Sequence, residues 1–159
     1  MRIFTLCFLL REEEVLLARK RRGNGAGLLK GYGGKVHTGE IFVDAAIRKL
    51  REESSLQVAR RDCEQRALIT THALGISLRF VVFTSRIWSG TPQDSAEMYG
   101  ARWFPFKKLP FKEMWEGDKL WLPRMLAGEK FEADVYLDKG NKLKWKRDYR
   151  PDPSATELA

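Results

Sequence analysis

Residues 34–56 read Gly-Lys-Val-His-Thr-Gly-Glu-Ile-Phe-Val-Asp-Ala-Ala-Ile-Arg-Lys-Leu-Arg-Glu-Glu-Ser-Ser-Leu, a glycine turn running into a segment that ends in two adjacent carboxylates. Val43, Ala46, Ile47 and Leu50 recur at steps of three and four, which predicts a helix over 41–54 with these side chains on its buried face. The same spacing puts Ala45, Lys49, Glu52 and Glu53 together on another face. Thr38 or Gly39 leads into the helix, and Glu40 sits near its positive end. Hard divalent cations take oxygen ligands and bridge a few carboxylates to substrate phosphates. A loop and helix that gather carboxylates are therefore a device for pyrophosphate chemistry. Lys49 departs from that logic by placing a cation where another carboxylate would help.

Outward from this stretch, residues 2–10 and 14–20 read as two strands around the charged turn Arg11-Glu12-Glu13. Arg22-Gly23-Asn24-Gly25-Ala26-Gly27 predicts a flexible loop, because so many glycines raise the entropic cost of order. Tyr32-Gly33-Gly34-Lys35-Val36 predicts a tight turn with a short extended segment. Residues 66–73 and 76–88 read as a hairpin turning at Gly75. Another strand follows Gly100, and Pro105 predicts that it ends at a sheet edge. A helix is expected over 118–126, closed by Gly128. A last hairpin spans 130–137 and 142–149, turning at Asp138-Lys139-Gly140-Asn141. The tail, 151–159, is expected to be disordered. There is no internal repeat, and the domain is assigned to residues 1–150.

The N-terminal apolar run Ile3–Leu10 is too short to cross a membrane and has no cleavage pattern, so it reads as a buried strand. Cys7 and Cys63 lack metal-ligand spacing and read as free thiols of a reducing cytoplasm. The net charge of +8 points to anionic partners, whether phosphates, nucleotides or nucleic acid. Basic residues cluster at Arg19-Lys20-Arg21-Arg22, directly before the glycine-rich loop, where a phosphate-facing role is favoured over a solvated surface. The second cluster, Lys142, Lys144, Lys146 and Arg147, is as readily a solvated surface. His37 and His72 have no partner at ligand spacing. Trp103-Phe104-Pro105-Phe106 reads as core.

Gly34, Glu40, Arg48, Leu50, Glu52, Glu53 and Leu56 fall at the fixed positions of the Nudix (MutT-type) signature, with Lys49 in place of a glutamate and Ser55 in place of the last glycine. The chain thus resembles the Nudix hydrolases. That resemblance implies an α+β fold, an α/β/α sandwich in which a mixed sheet carries a catalytic loop–helix and a second helix near the C-terminus. Val15-Leu16-Leu17, Gly25-Ala26-Gly27, Gly31–Val36, Gly90-Thr91-Pro92 and Pro110–Trp115 extend the likeness to the eukaryotic-type MutT homologues that hydrolyse oxidised purine nucleoside triphosphates.

The resemblance implies Mg²⁺, with Mn²⁺ as a substitute, and a nucleoside triphosphate cleaved to a monophosphate and pyrophosphate by a cytoplasmic monomer. Glu53, Glu52 and Arg48 take the catalytic positions, Arg48 chiefly as an orienting partner. Glu52, Glu53, Glu97 and the carbonyl of Gly33 take the metal positions, with Asp94 and Glu113 as alternatives to Glu97. Thr5, Lys20, Lys30, Trp115, Asp118 and Trp121 fall where the base pocket is expected, joined as substrate-binding residues by Tyr32, Gly33, Gly34 and Lys35. Trp115 and Trp121 are equally readable as core.

Departures from that group are specific. Lys30 stands where an asparagine reads the purine, Gly117 replaces the first of two aspartates, and Asn24, Ile69 and Thr71 replace aromatics that pack on the base. Base pockets specify through hydrogen bonds left unpaired by the wrong substrate, so these changes imply altered recognition. Lys49 leaves a second reading besides a hydrolase with altered activity, a nucleotide-binding pseudoenzyme; the basic balance leaves a third, an RNA-binding or cap-hydrolysing protein.

Overall fold

The computed structural model describes residues 1–138 and the backbone of 143–146. Strand β1 (Arg2–Arg11) carries Cys7, Phe8, Leu9 and Leu10 as consecutive buried side chains. Such a run suits a strand covered on both faces. It is followed by β2 (Glu14–Lys20), β3 (Leu29–Lys30), β4 (Tyr32–Lys35), helix α1 (Phe42–Ser54), β5 (Glu64–Ala73), β6 (Ile76–Ser85), β7 (Met98–Pro105), helix α2 (Asp118–Leu126), β8 (Phe131–Leu137) and β9 (Leu143–Lys146).

The strands form a mixed sheet in the order β3-β2-β1-β6-β5-β8-β9, with β4 paired to β1 and β7 to β2. β1 runs parallel to β6 and antiparallel to β4, and β5 runs parallel to β8. Alternation along the central strands separates two cores. Phe8, Leu17, Ile69 and Val82 pack with Trp121, Leu122 and Met125 of α2. Cys7, Leu9, Leu68 and Val81 pack with Ala46 and Leu50 of α1. Helices on opposite faces of one sheet make the expected α/β/α sandwich.

Most boundaries fall where the sequence places them, and the differences have local causes. α1 starts at Phe42 after the extended residue Ile41, with no side-chain cap from Thr38. Its buried side chains are Ala45, Ala46, Leu50, Glu53 and Ser54, whereas Ile47 and Val43 are only half-buried. The helix is therefore rolled so that its carboxylate-bearing side, too, lies against the sheet. The second hairpin strand stops at Ser85, where the Ser85 side chain takes the Ile87 N–H and donates to the Ile87 carbonyl, turning the chain away before Trp88. The turn it leaves behind is made by Leu74 and Gly75, both at positive φ. β7 begins at Met98, earlier than Gly100 suggested, and among the described residues it pairs only with β2. Trp103, Phe104 and Phe106 are partly buried against the two cores, in keeping with a packing role.

Cys7 is buried, Cys63 is half-buried, and both are free; the two thiols interact, which raises the pKa of Cys7 and lowers that of Cys63. Distance in sequence thus concealed a neighbour in space. His72 likewise has partners, with Nδ1 2.7 Å from Ser77 Oγ and Nε2 2.8 Å from Asp134, while its ring stacks on Tyr136. No helix of the described residues is long and apolar enough to cross a membrane. The final turn at 139–141, the 151–159 tail and the side chains of the second basic cluster lie outside the described residues.

Candidate active site

α1 ends in a left-handed residue, Ser55, at φ +67°, whose N–H bonds back to the Arg51 carbonyl. This conformation favours glycine, because other residues crowd their own Cβ there. It explains why the resembled signature has glycine at this position, and it fixes the exit of the chain just after Glu52 and Glu53.

The two glutamates have different surroundings. Glu53 is 4% exposed and its Oε1 accepts the N–H of Gly33 at 2.8 Å. Burial raises its pKa, opposed by Lys30, the Gly33 N–H and Lys49. Glu52 is exposed at the helix end; burial opposes but does not overcome the lowering of its pKa by Arg48 and Lys49. One carboxylate is thus held in place against the sheet while its neighbour faces solvent.

Arg48 organises the approach. Its Nε and Nη2 donate to Glu40 Oε2 and Oε1 at 2.8 and 2.9 Å, Nη2 also reaches the Lys35 carbonyl at 3.0 Å, and Nη1 donates to Glu52 at 3.2 Å. The loop before α1, the end of β4 and the carboxylate end of the helix converge on one guanidinium. Glu40 is held at a pKa of about 2, chiefly by the Arg48 hydrogen bonds against the cost of burial. Arg48 is raised correspondingly by Glu40.

Lys49 Nζ lies 3.4 Å from Glu52 Oε2 and 3.9 Å from Glu53 Oε2. Its stem lies over Gly34, where a Cβ would come within 2.5 Å of Lys49 Cε. Gly33 is tighter still, since a Cβ there would sit 1.9 Å from the Thr5 carbonyl oxygen. The Tyr32–Lys35 glycines are therefore required by close contact with β1 and α1.

Glu97 lies just before β7. Its Oε1 accepts Arg22 Nη2 at 2.9 Å, and that bond lowers its pKa. Charge interactions with Glu53 and Lys49 put Glu97 in the same electrostatic neighbourhood. Of the alternatives, Asp94 accepts the Gly100 N–H and acts, like Glu53, on Tyr32, while Glu113 pairs with Arg19. Among the described residues no three acidic, histidine or cysteine side chains converge on one point. Because Mg²⁺ is commonly bound by one or two carboxylates together with substrate phosphates, the adjacent pair Glu52 and Glu53 fits an ion that arrives with a nucleotide.

In this structure the first basic cluster braces loops. Arg19 binds the Gly27 carbonyl and Glu113, Arg21 binds the Ser95 carbonyl and lies over Tyr99, and Arg22 holds Glu97. Lys20 donates to the Asn24 carbonyl. Nothing in the sequence spacing signals these long-range partners. The role of Arg22 opposite Glu97, and of the Lys35 carbonyl as an Arg48 acceptor, becomes visible only when β2, β4 and β7 are brought together.

Lys30, in β3, is lowered by burial, with Glu53 and Asp118 opposing the shift. Asp118 is pushed up to about 7 by burial, with Lys30 opposing. Tyr32 is buried, and its phenol is raised by burial and by Glu53. Trp115 is half-buried against Gly25, where a Cβ would come within 2.4 Å of the ring. Trp121 is 3% exposed and edge-on to Phe8 with ring centroids 6.0 Å apart, which makes it a core member. Thr5 is fully buried, and its hydroxyl has no hydrogen-bond partner among the described residues. Lys35 is exposed.

Fold and site together define an α+β domain in which a glycine turn and a carboxylate-ended helix are locked by one arginine. Comparison with known proteins gives the class its name. A NUDIX domain profile matches residues 2–125. The oxidized purine nucleoside triphosphate hydrolase of Mus musculus is 39% identical over 140 residues, covering 82% of this chain and 83% of that protein. Its Danio rerio counterpart is 38% identical over the same length, with the same coverage. The crystal structure of a MutT protein from Bacillus halodurans superimposes with a TM-score of 0.80 over 96% of this chain and 100% of its own, at 20% identity, a likeness of fold alone. The chain belongs to the NUDIX family of hydrolases.

Proposed function

We propose that this protein is a Mg²⁺-dependent pyrophosphohydrolase that cleaves a purine nucleoside triphosphate, oxidised purines included, to a monophosphate and pyrophosphate. The names of the Mus musculus and Danio rerio relatives support the substrate class. The observation that carries the reading is Glu53: buried, anchored by the Gly33 N–H at 2.8 Å, and adjacent to the solvent-facing Glu52.

Hydrolysis needs a water positioned in line with the bridging P–O bond and relieved of its proton. Glu53 suits that task, because the Gly33 N–H fixes one carboxylate oxygen and burial strengthens the carboxylate as a proton acceptor. The water oxygen then bonds to phosphorus, its proton goes to the carboxylate, and the α–β bridging bond breaks with pyrophosphate leaving. Mg²⁺ held by Glu52, Glu53 and the phosphates supplies charge neutralisation when bound. Arg48 keeps Glu52 turned toward that position and ties it to Glu40. Lys30 and Asp118 supply a donor and an acceptor for a base edge, in place of the asparagine and paired aspartates of the resembled group. This reading assigns the protein to nucleotide pool sanitation in the cytoplasm.

A second reading rests on Lys49. Its ammonium lies between the two carboxylates, which favours a protein that binds nucleotide without turning it over. A panel of canonical and oxidised triphosphates with Mg²⁺ or Mn²⁺, assayed for pyrophosphate release, separates the two. Turnover by the natural sequence supports the hydrolase. Binding without turnover, with activity appearing in Lys49→Glu, supports the pseudoenzyme. RNA binding that collapses steeply with salt, without free-nucleotide activity, would replace both.

A further inference from the structure

We propose that Lys49 is a tethered cation with two alternating partners: the carboxylates of Glu52 and Glu53 in the free protein, and the polyphosphate of the substrate in the complex. This deepens the reading above and rests on a nucleoside polyphosphate being the ligand.

Three observations carry it. First, the Lys49 ammonium lies within 3.4 and 3.9 Å of the oxygens Glu52 Oε2 and Glu53 Oε2. Glu53 Oε1 is taken by the Gly33 N–H, and Arg48 Nη1 lies nearer Glu52 Oε1, at 3.2 Å, than Glu52 Oε2, at 3.4 Å. The two oxygens near Lys49 are therefore those a divalent ion would use. Second, the stem is guided rather than free. It lies over Gly34, whose missing side chain leaves the channel it follows, and the side chain is only 18% exposed. Third, neither contact is at close hydrogen-bond distance, so the head is held by charge and can exchange partners by rotating its terminal bonds. A lysine ammonium is a compact charge on a flexible stem, suited to phosphate.

The consequence is an order of binding. Without nucleotide, the ammonium repels a divalent ion from Glu52 and Glu53, so the free protein binds metal weakly. A polyphosphate draws the ammonium away, releasing both oxygens, so phosphate and metal bind cooperatively. Lysine then supplies a positive charge that persists when metal is removed, and the protein retains affinity for polyphosphate in chelator.

The test measures binding, independently of turnover. Mn²⁺ affinity of the free protein is followed by electron paramagnetic resonance. Affinity for a non-hydrolysable nucleoside triphosphate analogue in EDTA is followed by calorimetry. Lys49→Met keeps the stem over Gly34 and removes the charge; Lys49→Arg keeps the charge. In Lys49→Met, Mn²⁺ affinity without nucleotide should rise by about tenfold or more, while analogue affinity in EDTA should fall by about tenfold or more. Lys49→Arg should retain most of the EDTA affinity. Melting curves report whether each variant is folded, and Lys49→Gln replaces Lys49→Met if that variant is not. Unchanged Mn²⁺ affinity, or unchanged analogue affinity in EDTA, would overturn the proposal. Failure of the natural protein to bind any nucleotide analogue with metal present would instead sink the underlying function.

Discussion

Arg48 grips Glu40 through a planar fork, Nε to Oε2 at 2.8 Å and Nη2 to Oε1 at 2.9 Å, across the loop that precedes α1. The pair makes the loop and the helix one unit, and the same guanidinium reaches Glu52. Lysine keeps the charge but lacks the fork. Arg48→Lys should destabilise the domain by about 1–3 kcal/mol, as expected for lost charge-assisted hydrogen bonds, measured by urea unfolding. The pH dependence follows from Glu40. Its folded pKa is lowered from 4.5 to about 2, so its contribution is full above 4.5 and lost as pH falls toward 2. Arg48→Lys should therefore flatten the acid limb of the stability curve; an unchanged limb would show that the fork adds nothing.

Glu53→Gln keeps an oxygen for the Gly33 N–H and removes the proton acceptor. Turnover of a triphosphate should fall by about a hundredfold or more, with little change in melting temperature. Full activity in this variant would assign proton removal to another group.

Gly33 and Gly34 differ in what crowds them. Gly33→Ala puts a Cβ against the Thr5 backbone, which cannot retreat without breaking the β1–β4 pairing. It should cost about 3 kcal/mol or more. Gly34→Ala meets the distal part of the Lys49 side chain, which can shift, and should cost about 1 kcal/mol. Thermal unfolding of the two variants checks the ranking.

Ser55→Gly should stabilise the protein. At φ +67° serine bears a steric cost that glycine avoids, partly offset by glycine's greater freedom when unfolded. A gain of about 1 kcal/mol is expected, and a loss on denaturant titration would contradict it.

Asp118 gives stability the opposite pH slope to Glu40. Its folded pKa is raised from 3.8 to about 7, so the native state keeps a proton that the unfolded chain releases. Stability from this group is greatest below 3.8 and is lost as pH climbs to about 7. Asp118→Asn should shrink the drop in melting temperature between pH 5 and pH 8 relative to the natural protein. Equal drops would show that Asp118 is ionised throughout.

The carboxylate helix was legible because its information is local: period, spacing and end residues all lie within one stretch. Its roll was not, since Ile47 and Ala45 are equally suited to burial until the sheet beneath them is known. The loop partners of Arg19–Arg22 were hidden for a related reason. Arginines beside a glycine loop look available to phosphate, yet Glu97, Ser95 and Glu113 lie far away in sequence and reach them only through β7 and the segments around it.

Spacing was enough to find the helix bearing Glu52 and Glu53 and the oddity of Lys49, because each depends on residues a few positions apart, while the α+β architecture came from the resemblance those residues carry. Folding was needed to bury Glu53 while leaving Glu52 in solvent, to hand Glu97 to Arg22, and to lay Lys49 along Gly34. Those outcomes depend on which strands become neighbours, and desolvation and charge pairing act through space, without regard to position along the chain.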